Sequence, residues 1–147
     1  MALSVYDSPN ENTAFSSGTN TNPISLTVDG TLGATITKKL YLRNDSASHY
    51  YTSIEITPSS NGGEDIVTGS LSTFHWKLIA GNNEPLEDQW QLVSGGNTMT
   101  LSDLGSLGNA TTTTYLPFWL RVNVPKGIDI QVFEHVTLEV AATENNA

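Results

Sequence analysis

The sequence predicts an all-β protein: an antiparallel two-sheet β-sandwich, immunoglobulin-like or jelly-roll, of about seven or eight strands behind a polar N-terminal arm. Three observations predict it. First, Tyr115 to Pro125 places Leu116, Phe118, Leu120, Val122 and Val124 at every second position. In an extended strand those residues share one face, and Trp119, Arg121 and Asn123 share the other. Second, only 14% of residues are charged, and the polar surface is supplied by Ser, Thr, Asn and Gly. Thr suits a pleated sheet, while Asn and Gly suit turns. Third, short alternating segments recur between turn signals, with a single stretch of helical character.

Residues 1–22 are polar, with Val5, Tyr6 and Phe15 as isolated apolar points, and read as an extended or flexible arm. Fully extended, such an arm reaches roughly 70 Å. Tyr6 and Phe15 are its candidate docking side chains. The sandwich domain is expected over 23–143, followed by a short tail at 144–147. Ile24, Leu26 and Val28 alternate up to the turn pair Asp29-Gly30. From Ala34 to Arg43, Ile36, Lys38, Leu40 and Leu42 oppose Thr35, Thr37, Lys39 and Tyr41, and Lys38 marks an edge or rim. Tyr50 to Thr57 carries Ile54 and Ile56 in register and is expected to break at Pro58-Ser59-Ser60-Asn61-Gly62-Gly63. Phe74, Trp76 and Leu78 alternate before Gly81-Asn82-Asn83. Glu84 to Trp90 is the helical stretch, with Pro85 near its start and acids in its first turn. Thr98–Leu101, the Phe118 strand and a last strand from Ile130 to Ala142 complete the set. No internal repeat is visible.

The 147 residues form one domain, long enough to bury a core without staples. Fifteen acidic against six basic residues give a net charge of −9, which repels phosphate backbones and argues against nucleic acid as a partner. The chain has no cysteine, hence no disulfide framework and no thiolate metal site. Its start lacks the basic and apolar regions of a signal peptide, and no stretch approaches the ~20 apolar residues that span a bilayer. Synthesis in a cytoplasm and a soluble product are therefore expected, with no membrane partner. The triplets at Asn44 and Asn109 are read as chance matches to the glycosylation motif in an Asn- and Thr-rich chain.

Catalytic patterns are missing from the sequence. His49, His75 and His135 lie far apart, and none has a second ligand at metal-site spacing. Glu64-Asp65 and Glu84, Glu87, Asp88 lack the spacing and central glycine of a calcium loop. Gly69-Ser70-Leu71-Ser72-Thr73 lacks the second glycine of a nucleophile elbow. Gly62-Gly63 and Gly95-Gly96 are not followed by the Lys-Ser/Thr of a phosphate loop. A non-enzyme without cofactor or metal is expected. Among the aromatics, Trp76 shares the parity of Leu78 and belongs to the core. Phe118 and Trp119 are sequence neighbours, so one ring must leave the core, and parity sends Trp119 out with Arg121. Trp and Arg are the residues most enriched at binding hot spots. In an unbulged strand Tyr50 keeps step with Ile54, which turns Tyr51 outward. Tyr6, Phe15, Tyr51, Trp119 and Arg121 are thus the candidate interface residues.

Three segments resemble small β-sandwich virion proteins of tailed bacteriophages: Lys38-Lys39-Leu40-Tyr41-Leu42-Arg43-Asn44-Asp45, Trp76 to Trp90 with its Glu84-Pro85 turn, and Tyr115 to Val122. Within that group the chain is most similar to a capsid decoration (cement) protein. The resemblance implies a structural subunit on the capsid surface of the virion that binds the major capsid protein and stabilises the assembled head. It also implies a homo-oligomer, with a trimer suited to a local threefold axis. A tail or baseplate component is the near alternative. A carbohydrate-binding adhesion module, stacking exposed aromatic rings on sugars, is the distant one.

Overall fold

In the computed structural model, which describes residues 2–15, 24–27, 32–60, 75–109, 112–126 and 136–147, alternating side chains are sorted onto two packed sheets. The strands are β1 (Leu3–Tyr6), β2 (Ala34–Asn44), β3 (His49–Ser60), β4 (His75–Ala80), β5 (Met99–Leu101), β6 (Tyr115–Val124) and β7 (Val136–Asn146), with one short helix, α1 (Glu87–Gln91). One sheet has the order β1-β2-β6-β4 and the other β5-β3-β7, and every pairing is antiparallel. The chain is an all-β two-sheet sandwich. No helix among the described residues is long and apolar enough to cross a membrane.

The core lies where the two inner faces meet. Leu40 and Leu42 of β2 and Phe118, Leu120, Val122 and Val124 of β6 pack against Tyr51, Ile54 and Ile56 of β3 and Met99 and Leu101 of β5. The parity expected of β6 is the parity observed. Trp76, of the same parity in β4, is half-buried against this cluster. Lys38 has its place as a rim residue. β1 pairs with β2 from Tyr41 to Asn44 and stops short of Lys38, whose Nζ lies 3.0 Å from Asp7.

Several elements differ from the sequence reading. Residues 3–6 are not a free arm: they add a strand to β2, and the main chain of Ala2 is held at both ends. Its N–H donates to the Tyr51 hydroxyl at 2.9 Å, and its carbonyl accepts from Asp45 N–H at 3.0 Å. Residues 24–27 are not a strand, although Ile24 and Leu26 still pack on the core. β3 continues through Pro58 to Ser60. Pro58 is tolerated because it pairs with Leu138 with its nitrogen turned away from β7, beyond the end of the short β5. The expected tail is strand, since Asn146 pairs with His49 and Ala147 N–H reaches Ser48 O at 2.9 Å. Phe74, His135, the Asp29-Gly30 turn, the loop at 61–63 and the start of the last expected strand lie outside the described residues.

The free side of β4 is closed by a side chain. Asn97 accepts from Leu78 N–H and donates to Leu78 O, both at 2.8 Å, and Gly96 N–H donates to Trp76 O at 2.7 Å. An asparagine amide here stands in for one residue of a neighbouring strand. Asn97→Ala is expected to cost about 1–3 kcal/mol, because both Leu78 groups lose their partner, and to make the protein more prone to aggregate through the opened edge. A urea titration alongside light scattering checks this. Unchanged stability and scattering would show that the amide pair contributes nothing.

Candidate binding face

The outer face of the four-stranded sheet collects the residues of odd number on β2, β4 and β6. Its ladder places Lys39 opposite Trp119, Tyr41 opposite Pro117 and Arg43 opposite Tyr115. The ring of Tyr115, 43% exposed, meets Tyr41 edge-on at 6.1 Å. Lys39 Nζ lies 5.5 Å from the Tyr41 ring centre and 5.6 Å from that of Trp119. Asn82 Oδ1 accepts a 2.8 Å hydrogen bond from the same ammonium. A lysine so placed is attracted by the negative faces of two rings and is fixed in position by the amide.

One end of this face is welded shut by α1. Pro85 precedes the helix, and Gln89 Oε1 reaches back to accept from Leu86 N–H at 2.8 Å, satisfying a first-turn donor. The helix lays Trp90, 1% exposed, under the Arg121 guanidinium, whose carbon is 4.8 Å from the ring centre. Arg121 Nη1 contacts Glu87 Oε2 at 2.6 Å, Arg121 Nε donates to Thr37 Oγ1 at 3.2 Å, and Lys77 Nζ donates to Trp90 O at 3.0 Å. His75 is half-buried beside Lys77 and Arg121. Burial first, and the Lys77 charge second, push its pKa below the usual imidazole value.

The opposite end is closed by the N-terminal segment. Arg43 stacks on Tyr6 at 3.6 Å, pairs with Asp45 Oδ1 at 2.6 Å, and donates to the carbonyls of Pro9 at 3.2 Å and Glu11 at 2.8 Å. The Tyr6 hydroxyl donates to Asp45 Oδ2 at 2.6 Å. Burial, and then the Asp45 carboxylate, raise the Tyr6 pKa above the ordinary phenol value.

The structure brings only Trp119 and Arg121 of the expected interface residues to this central face. Trp119 points outward, as its parity predicts, yet it is half-covered by Lys39. Its Nε1 is buried with no hydrogen-bond partner among the described residues. The Arg121 guanidinium is spent on Glu87, Thr37 and Trp90 of its own chain. Tyr6 is buried and Phe15 is half-buried on the core, with Lys38 Nζ 6.0 Å above its ring.

Tyr51 is a correction. It is 1% exposed and lies in the core, because β3 carries one extra residue between Thr52 and Glu55, with Ser53 at φ +53°. That bulge exchanges the faces on either side of it. The Tyr51 hydroxyl donates to Glu144 Oε2 at 3.0 Å while accepting from Ala2. Burial is the main cause of its raised pKa.

Tyr115, Tyr41 and Lys39 were not singled out from the sequence. A signal was present, since Tyr115 shares the parity of Trp119 at the start of the same strand. Among the described residues, no three His, Asp or Glu side chains gather where they could hold a metal ion. The arrangement offers an aromatic and cationic surface whose two ends are tied down by ion pairs and hydrogen bonds. No protein-family model, curated protein or solved structure matches the chain. Fold and face together define a β-sandwich with an aromatic–cationic outer surface.

Proposed function

We propose that this protein is a non-enzymatic structural subunit that binds a larger protein assembly through the Tyr41–Tyr115–Lys39 face. In the setting of the sequence resemblance, that assembly is a phage head and the contacted protein is the major capsid protein. The observation that carries the reading is the pairing of an exposed tyrosine with a fixed lysine on a sheet face whose two ends are pinned. Preorganised aromatic side chains of this kind lose little conformational entropy on binding. A subunit that binds the assembled shell, and not loose capsid protein, stabilises the shell by mass action. A homo-oligomer, a trimer in particular, multiplies the contact through effective concentration.

Tyr115→Ala is expected to weaken binding to assembled shells by about tenfold or more, as for a hot-spot aromatic. Its melting temperature should stay near that of the parent, because the ring is exposed. Co-sedimentation with assembled shells, and separately with unassembled capsid protein, measures the effect. Equal binding of parent and variant removes the face from the reading; no binding of the parent removes the capsid partner. A second reading, carbohydrate binding, is favoured by the same open tyrosine ring, which can stack on a sugar. Glycan-array binding that is lost in Tyr115→Ala would decide for it.

A further inference from the structure

The strand edges of this sandwich are treated unequally. β4 is capped by Asn97 and Gly96, β1 is joined by Phe15 N–H donating to Val5 O at 2.9 Å, and β5 has only 3 residues. β7 runs for 11 residues with β3 on one side and no backbone partner on the other among the described residues. The direction of its free groups can be derived. Ala147 N–H goes to Ser48 O, whereas both main-chain groups of Tyr51, the partner of Glu144, go to Leu104. An antiparallel ladder alternates. Thr137, Glu139, Ala141, Thr143 and Asn145 therefore bond to β3. Val136, Leu138, Val140, Ala142, Glu144 and Asn146 turn N–H and C=O to the open side.

The first four of those edge residues also point their side chains inward, yet they are only half-buried where they pack on the core. The open edge thus carries a row of hydrogen-bonding groups and an uncovered apolar strip along the same line. Its charge is one-sided. Five of the six Lys and Arg residues, namely Lys38, Lys39, Arg43, Lys77 and Arg121, lie on β2, β4 and β6, and β3, β5 and β7 have none. On the outer face of the smaller sheet Glu55 pairs with Ala141 and Glu139 with Thr57, which makes the two glutamates diagonal neighbours. Both are exposed, and neither has an ion-pair partner among the described residues. Edge strands are usually guarded by lysine or proline; β7 has neither.

We propose that β7 receives a strand from a partner protein: an extended segment with apolar side chains at one parity and Lys or Arg at the other. The apolar residues would cover Val136, Leu138, Val140 and Ala142, and the cations would lie beside Glu139 and Glu55. Backbone bonds give such strand addition its affinity, and the alternate side chains give it specificity. Charge argues for a basic partner over a second copy, since two chains of net charge −9 repel and β7 offers no cation to the β7 of a neighbour. The proposal uses the sheet opposite the aromatic face and stands independently of it.

The test uses the full chain and a capped, fluorescent peptide that alternates lysine and valine. A second peptide has the same sequence with every valine N-methylated, which removes the edge-facing donors and leaves the charge intact. Saturable binding of the first peptide, weakened about tenfold or more by methylation, is expected. Val140→Pro should weaken it similarly, since that N–H is not used by β3. Glu139→Lys, at an exposed position that does not endanger folding, should weaken binding and flatten its salt dependence. Equal binding of both peptides would reduce the effect to charge alone and overturn the proposal, as would failure of the first peptide to bind. A concentration-dependent dimer that Val140→Pro abolishes would assign the edge to a second copy instead, and would equally overturn it.

Discussion

Replacing Asn44 by alanine is expected to lower the stability of this protein by about 3–5 kcal/mol. Asn44 has no exposed surface, and both polar atoms of its amide are bonded. Nδ2 donates to the carbonyls of His49 at 2.9 Å and Gly105 at 3.0 Å, and Oδ1 accepts from Ser46 N–H at 2.9 Å. Alanine strands two carbonyls and one N–H at a site where one side chain joins the end of β2 to the start of β3 and to the 105 segment. For a chain of this size such a loss is a fall in melting temperature of roughly 10–15 °C. Asn44→Asp keeps the shape and removes the donors, so it should cost at least as much as alanine at neutral pH. Thermal and urea unfolding measure both variants. A loss below about 1 kcal/mol in each would mean that water replaces the amide, and that the side chain is not the tie described.

Deleting Ser53 is the second change of large effect. Ser53 sits at φ +53° as the additional residue that lets Tyr51 and Ile54 face the same core. Without it, β3 cannot keep both residues inside. Either Tyr51 leaves the core and breaks its bonds to Ala2 and Glu144, or Ile54, Ile56 and Pro58 turn outward. The milder outcome removes one large buried ring, a loss of about 3–5 kcal/mol. Ser53→Gly is expected to move the other way by about 0.5–1 kcal/mol, because glycine occupies this backbone region without a Cβ penalty. Chemical denaturation, with the accessibility of Tyr51 followed by its near-ultraviolet signal, reads both. A deletion variant as stable as the parent would show that the bulge does not set the register.

The same two residues explain what the sequence could and could not disclose. β6 was legible because Leu116 to Val124 alternates without interruption, and the inner parity assigned to Phe118, Leu120, Val122 and Val124 is the one observed. Tyr51 was misplaced because a bulge at an ordinary serine leaves no mark in the pattern; glycine there would have been a clue. The N-terminal strand was hidden for a different reason. β1 has only 4 residues, too few to establish an alternation, and Tyr6 is covered by Arg43 and bonded to Asp45, both distant in sequence. On the candidate face, parity sent Trp119 and Arg121 outward correctly. It could not show that Lys39, held by Asn82, lies over the indole, or that Glu87 and Trp90 occupy the guanidinium. Those contacts cross between elements: the β2–β6 ladder brings Lys39 to Trp119, and α1 brings Glu87 and Trp90 to Arg121.

That ladder has a consequence for how the chain reaches its native state. The two long pairings, β2 with β6 and β3 with β7, join segments far apart in sequence, and neither is a hairpin. Little local structure can therefore reward the chain early, and large loops must close before either sheet gains its ladder. Folding of this kind belongs to the millisecond-to-second regime of non-local β topologies, on the order of what sandwiches show. During synthesis β3 waits, with the hydrogen-bonding edge that β7 takes unpaired, until β7 has left the ribosome. The strand that leaves an edge open in the finished protein is also the strand on which completion of the smaller sheet depends.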